Sequence, residues 1–188
     1  RPFEILMGKI VGVALVGLGM AVLPHARALA DLQASVDVRH AWSPSTARRA
    51  AFHATTGFPV ADSLEVILED PAVEAVLLLT PPDTHLELVE RVLAAGKHVL
   101  LEKPLEADPV RTEALVAACT AAGRVLGLVL QHRFRPSAER LAALIRDGAL
   151  GAIVGAGAVI RLWRPQSYYD QPGRGRRARD GGGVLLTQ

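Results

Sequence analysis

Short apolar runs rich in β-branched residues alternate along this chain with longer stretches in which apolar residues recur every three or four positions. Ile10 to Val16, Val36 to Ala41, Ala75 to Leu79, His98 to Leu101 and Val125 to Leu130 predict strands. Val22 to Leu32, Ser45 to Thr55, Leu64 to Leu68, Thr84 to Ala95 and Val110 to Ala122 predict helices. Gly57, Gly96 and Gly123 stand just past the ends of three of them, where a left-handed residue closes the last turn. Val76-Leu77-Leu78-Leu79 is apolar without alternation and needs cover on both faces. The series predicts an α/β fold, a doubly wound parallel sheet flanked by helices, with ligands bound at the carboxyl ends of the strands.

The first strand end reads Val16-Gly17-Leu18-Gly19-Met20 and leads into a helix. Gly17 allows a tight turn, and Gly19 lets backbone amides approach a pyrophosphate at the helix N-terminus. Val22 replaces the third glycine of the dinucleotide fingerprint, so the turn alone is a weak signal. At the second strand end, Ala41-Trp42-Ser43-Pro44-Ser45 offers no carboxylate for a ribose diol, whereas Ser43 with Arg48 and Arg49 tolerates a 2′-phosphate. NAD and NADP both stay open, and the arginines read equally as the wet face of their helix. Asp37 comes early in its strand and reads as a solvated position.

The third strand end, Leu79-Thr80-Pro81-Pro82-Asp83-Thr84-His85, is a rigid turn at a helix start, where Asp83 or Thr84 can cap. His85 there is either structural or faces the cofactor. The fourth, Glu102-Lys103-Pro104, places a lysine where a parallel strand stops. Beside a nicotinamide, a lysine can hydrogen-bond the substrate oxygen and exchange a proton as hydride moves. The bland alternative is a surface pair between Glu102 and Lys103.

Composition narrows the class. A chain of 188 residues buries roughly 70% of its unfolded surface, enough for one full core and part of a second. Cys119 is the one cysteine, which excludes a disulfide framework and suits a reducing, cytoplasmic setting as a core thiol. No His, Cys and carboxylate cluster has metal-ligand spacing. The net charge of +2 hides an asymmetry, since residues 1–130 carry 11 basic against 15 acidic groups and residues 131–188 carry 10 against 4. The arginines of 174–179 lack the repeated stripe and interleaved aromatics of a nucleic-acid surface and read as a solvated loop facing an anionic ligand. Met7 reads as the natural start, and Lys9 followed by Ile10 to Leu23 imitates a secretory leader that the downstream βα pattern argues against.

Taken together the motifs resemble the glucose-fructose oxidoreductase and inositol dehydrogenase family, Gfo/Idh/MocA. The resemblance rests on Val16-Gly17-Leu18-Gly19 with His25-Ala26, Asp70 to Val76, Thr80 to His85, Gly96 to Pro104 and Gly181 to Leu185, and is most specific at Glu102-Lys103-Pro104. It implies a Rossmann-type dinucleotide-binding domain over residues 7–130 and, over 131–188, the start of an incomplete α/β substrate and oligomerisation domain. It implies an NAD- or NADP-dependent oxidoreductase acting on a sugar, cyclitol or related polyol, a homo-oligomer at full length, with no membrane or nucleic-acid partner. Lys103 becomes the catalytic residue. Gly17, Gly19, Met20, Ser43, Arg48, Thr80, Pro82, His85, Glu102 and Gln131 lie beside the cofactor, and Arg133, Trp163 and Arg164 on the substrate side.

In the second domain, Leu141 to Ile145 is the expected first helix and Ile153 to Trp163 the expected first strand. Thr187 stands where many members have aspartate, and the family's active-site histidine would fall just past Gln188. The expectation is therefore a fragment that binds nucleotide weakly and turns over little by itself. The alternatives are a non-catalytic nucleotide-binding regulator and, less well matched, a nucleotide-sugar or methyl-transfer enzyme on the same scaffold.

Overall fold

The computed structural model describes residues 9–171, 174–176 and 179. The readings made at Met7, at Gly181 to Leu185 and at Thr187, and part of the arginine cluster, lie outside the described residues.

Five parallel strands form one sheet: β1 (Val11–Val16), β2 (Val36–Trp42), β3 (Ala75–Leu78), β4 (His98–Glu102) and β5 (Leu126–Val129). Their spatial order is β2-β1-β3-β4-β5, so the chain leaves β1 to one side, returns, and continues on the other. The connecting helices are α1 (Val22–Asp31), α2 (Thr46–Thr56), α3 (Leu64–Glu69), α4 (His85–Ala94) and α5 (Pro109–Ala121). Each strand and helix of the βα series falls within a few residues of its expected position. The reversal of direction between β1 and β3 opens a crevice at their carboxyl ends, the place where doubly wound sheets bind ligands.

Alternation within β1 divides the core into two layers. Val13 and Leu15 pack with Val22, Ala26 and Leu29 of α1 and Phe52 of α2. Ala14 and Val16 point to the other face, against Leu64 and Ile67 of α3, Val89 and Val92 of α4, and Leu115 and Cys119 of α5. Cys119 is the buried core thiol expected, and burial pushes its thiol up. Gly57, Gly96 and Gly123 adopt φ of +74°, +73° and +62°, the left-handed closures that their helices need.

The amino-terminal edge of the sheet is held by a buried polar cluster. Nζ of Lys97, only 4% exposed, donates to the carbonyls of Asp70 at 2.7 Å and Val73 at 2.9 Å. The Asp70 carboxylate accepts the Ala72 amide at 2.8 Å and lies 2.8 Å from Nε2 of His40. Burial lowers the Lys97 amine, and the nearby Asp70 charge partly offsets this. The Ala72 amide lowers the Asp70 carboxyl against the opposing effect of burial, with help from His40 and Arg39.

After β5 the chain makes a 3-10 turn at Gln131–Phe134 and a helix, α6 (Pro136–Arg146), longer than the expected Leu141 to Ile145. Pro136 at its first position is preset for helical φ without losing a needed donor. A short helix, α7 (Gln166–Tyr169), follows. The strand expected over Ile153 to Trp163 is not formed. Val154, Val159 and Ile160 are 101%, 80% and 82% exposed, and the described residues give this stretch no neighbouring strand. An isolated strand leaves its backbone groups unpaired, so β-branched composition alone cannot make one.

Lys97→Met leaves the Asp70 and Val73 carbonyls without their donor and is expected to lower stability by about 1–3 kcal/mol, read by urea unfolding at neutral pH. The folded-state value of Asp70 is depressed, so its stabilisation is complete above the unfolded value near 3.9 and disappears as pH falls through the lower folded value. Asp70→Asn is expected to flatten that acid limb of the stability curve; an unchanged limb contradicts the role given to the cluster.

Candidate active site

The strand ends come into line at the carboxyl edge. Trp42, Val16, Leu78, Leu101 and Leu128 are successive register partners across the five strands. The residues just beyond them, Ser43, Gly17, Leu79-Thr80, Glu102-Lys103 and Val129-Leu130, therefore stand in one row. Gly17 and Lys103 are two strands apart, roughly 10 Å at ordinary parallel spacing.

The glycine turn is dictated by backbone contact. Gly17 has φ +104°, and a Cβ there would lie 2.7 Å and 2.8 Å from the carbonyl carbon and oxygen of Leu79 and 2.9 Å from the nitrogen of Thr80. Its amide donates to the Trp42 carbonyl at 2.9 Å, which ties the turn to β2 as well. Gly19 is different: a Cβ there meets no protein atom within 4 Å. The protein's own packing does not ask for glycine at 19, and the open space over it is where a ligand backbone can approach. Of the four α-helices that come first after β1, β2, β3 and β4, three have first-turn amides taken by side chains, as does α3, where Ser63 accepts from Val66. Ser45 accepts from Arg48 in α2, Glu106 from Leu86 in α4, and Asp108 from Val110 and Arg111 in α5. Among the described residues α1 has no side-chain cap. Pro24 in its first turn has no amide hydrogen and the Val22 amide donates to the Gly19 carbonyl at 3.2 Å, so it is the Ala21 and Leu23 amides, with Gly19 open before them, that fit a pyrophosphate, and an anion there gains about 0.3–2 kcal/mol from the helix dipole.

Thr80 and Pro82 form the β3 end of the row. Oγ1 of Thr84 lies 2.9 Å from Oγ1 of Thr80 and 2.8 Å from the Pro81 carbonyl, which fixes the turn. His85 was expected beside the cofactor, and its ring is turned into the backbone beneath the turn. Its ring is fully buried, with Nδ1 2.9 Å from the Leu105 carbonyl and Nε2 2.9 Å from the Thr80 carbonyl. It pins the turn after β3 to the loop after β4 and leaves no ring atom at the surface. Ser43, also expected beside the cofactor, is likewise drawn into local contacts. It is 2% exposed, with Oγ accepting the Ser45 amide at 3.4 Å and its carbonyl accepting Nη1 of Arg49 at 2.7 Å. The exposed polar groups at this end are those of Thr46 and Arg48 at the start of α2.

At the end of β4 the Lys103–Pro104 peptide is cis. The Glu102 carboxylate takes the Lys103 amide on Oε2 at 2.9 Å and lies 2.9 Å from Nε2 of His25 on Oε1. Burial raises the Glu102 carboxyl, but the His25 hydrogen bond and charge, with the Lys103 amide and charge, outweigh it and leave the group below the usual carboxylate range. The partnership with His25 was not read from the sequence. A signal existed, since Val22, His25, Ala26 and Leu29 form one helical stripe and His25 is its polar member. The loop beyond is anchored by Glu106, whose side chain is wholly buried and bonds the Leu86 and Ala107 amides and Arg111.

Gln131 follows β5 in the row and is exposed. Arg133 lines a shallow surface depression with Glu139 and Arg146 of α6. Arg164 lies over the Tyr168 ring at 5.2 Å and Arg174 over the same ring at 4.9 Å, while Trp163 is 79% exposed. These contacts are local to 164–174, so Trp163 and Arg164 are not packed into the row of strand ends by them. Among the described residues no group of His, Cys, Asp and Glu is arranged to hold a metal ion, and no helix is long and apolar enough to cross a membrane.

A parallel sheet with an uncapped helix behind a glycine turn at its switch point is a dinucleotide-binding domain. The chain belongs to the GFO_IDH_MocA family, the oxidoreductase family with an NAD-binding Rossmann fold, whose model matches residues 11–129. D-xylose 1-dehydrogenase (NADP(+)) 2 of Haloferax volcanii is 34% identical over 150 residues, covering 79% of this chain and 44% of that protein. scyllo-Inositol 2-dehydrogenase (NADP(+)) of Bacillus subtilis is 33% identical over 107 residues, covering 57% and 30%. The WlbA dehydrogenase of Bordetella pertussis, solved with NADH and UDP-GlcNAcA, superposes with a TM-score of 0.79 at 27% identity over 92% of this chain and 53% of that one. The chain thus spans about half the length of these relatives or less.

Gly17→Ala and Gly19→Ala separate two demands on the turn. The first forces a Cβ into the end of β3 and is expected to cost about 1–3 kcal/mol of stability. The second is expected to change stability by less than about 0.5 kcal/mol while weakening NADPH binding at least tenfold, measured by titration of cofactor fluorescence. Equal stability losses in both variants contradict this assignment.

Proposed function

We propose that the protein is an NAD(P)-dependent oxidoreductase that moves hydride between a nicotinamide cofactor and a hydroxyl-bearing carbon of a sugar, cyclitol or related polyol. The observation that carries this reading is the alignment of the glycine turn with Glu102-Lys103 along one edge of the sheet, bridged by the His25–Glu102 contact. The relatives named for xylose and inositol oxidation support the substrate class.

In this reading the amides of Gly19, Ala21 and Leu23 bind the pyrophosphate, and Thr80 and Pro82 line the path toward β4. The exposed Arg48 and Thr46, rather than the buried Ser43, meet the adenosine ribose, and with no carboxylate at the end of β2 they suit NADP over NAD. The cofactor, when bound, supplies the hydride acceptor or donor. Lys103 handles the proton: in alcohol oxidation its amine takes the hydroxyl proton as the C–H hydride leaves, and in reduction its ammonium returns a proton to the carbonyl oxygen. Gln131 borders the nicotinamide end, with Arg133, Trp163 and Arg164 on the substrate side of a second unit that begins after residue 130. A homo-oligomer and a cytoplasmic setting suit the family and the reduced Cys119.

In the whole protein, Lys103→Ala is expected to lower kcat by about 10²–10⁴-fold, the usual contribution of general acid–base catalysis, with NADPH affinity within about twofold of wild type. The measurement is steady-state reduction of NADP across a panel of polyols together with cofactor titration. Retained turnover with lost affinity contradicts the proton-transfer role and favours a nucleotide-binding regulator.

A further inference from the structure

Both oxygens of the Glu102 carboxylate are committed. Oε1 faces His25 Nε2 at 2.9 Å and Oε2 accepts the Lys103 amide at 2.9 Å. The two partners come from elements 77 positions apart, and their side chains are each only 16% exposed. His25 sits in the first turns of α1, directly behind the glycine turn, while Glu102 closes β4 on the far side of β3. The contact therefore spans the floor of the crevice between the two motifs that must cooperate.

We infer that His25 is a positioning residue: its imidazole holds the Glu102 carboxylate where it caps the Lys103 amide, and so sets the root of the Lys103 side chain relative to the glycine turn. The inference rests on Lys103 being the proton-transfer group proposed above. A half-buried carboxylate deprived of His25 keeps one backbone donor and gains more by turning to water than by staying. The Lys103 amide then loses its acceptor, and a displacement of about 1 Å in a reacting group costs on the order of a hundredfold in rate. His25 itself touches no reacting atom in this arrangement. Gln can substitute, since its side-chain amide offers a donor at a reach close to that of Nε2, whereas Leu fills the space without a donor.

Two measurements on His25→Leu and His25→Gln test this. In the 188-residue chain, hydrogen exchange followed by mass spectrometry is expected to show at least tenfold faster exchange over 102–105 in His25→Leu, unchanged rates in β1 and α5, and near-wild-type rates in His25→Gln. In the whole protein, His25→Leu is expected to lower kcat at least tenfold with the cofactor KM within twofold, with most activity restored in His25→Gln. In a Lys103→Ala background it is expected to add no further loss. Unchanged exchange at 102–105, a uniform rise across the chain, or full multiplicative loss on top of Lys103→Ala overturns the inference. Should the wild type turn over no polyol, the proposed reaction falls while the exchange result still decides whether His25 holds this turn.

Discussion

The turn at Gly17 packs backbone against backbone on the end of β3, at a distance that excludes even one methyl group. Everything at the carboxyl edge takes its position from that contact. It brings the end of β1 flush with the end of β3, points the amides of α1 over the switch point, and delivers His25 across β3 to Glu102. A side chain at 17 would push α1 away from the sheet and dissolve the crevice together with the latch that crosses it.

The two edges of the sheet are held by different chemistry for different ends. At the amino edge, Lys97 spends its hydrogen bonds on backbone carbonyls and is sealed from water, a fixture that serves stability alone. At the carboxyl edge Ser43, His85 and Glu106 are buried, while His25 and Glu102 are partly buried and linked in series to the Lys103 amide. A charge that must exchange protons with a substrate cannot be saturated by carbonyls as Lys97 is. In the proposed reaction the Lys103 side chain is placed by its backbone, whose amide the Glu102 carboxylate accepts.

Much of this was legible in the residues, because apolar periodicity and helix-closing glycines depend on local physics. Strands buried on both faces read as unbroken apolar runs, as in Val76 to Leu79, and Gly57, Gly96 and Gly123 marked helix ends through a conformation other residues avoid. What sequence could not supply was partnership across distance. The same polar residue type can face the ligand or brace the loop beneath it, and His85 and Ser43 turned out to brace. Ile153 to Trp163 has strand-like composition, yet a strand is made by its neighbour, and none stands beside it among the described residues. His25 was visible as the polar member of an apolar helical stripe, but its meaning required knowing that Glu102 lay opposite.

The account stands on the glycine turn and the Glu-Lys-Pro turn sharing one ligand. Titrating NADPH into the ¹⁵N-labelled chain and following amide chemical shifts tests this directly. The largest changes are expected at Gly17 to Met20, in the first turn of α1, at Thr80 and at Glu102-Lys103, saturating together with one dissociation constant. Shifts confined to the amino edge around Gly12, Ala72 and Lys97, or changes at the glycine turn with Glu102-Lys103 unmoved, contradict it.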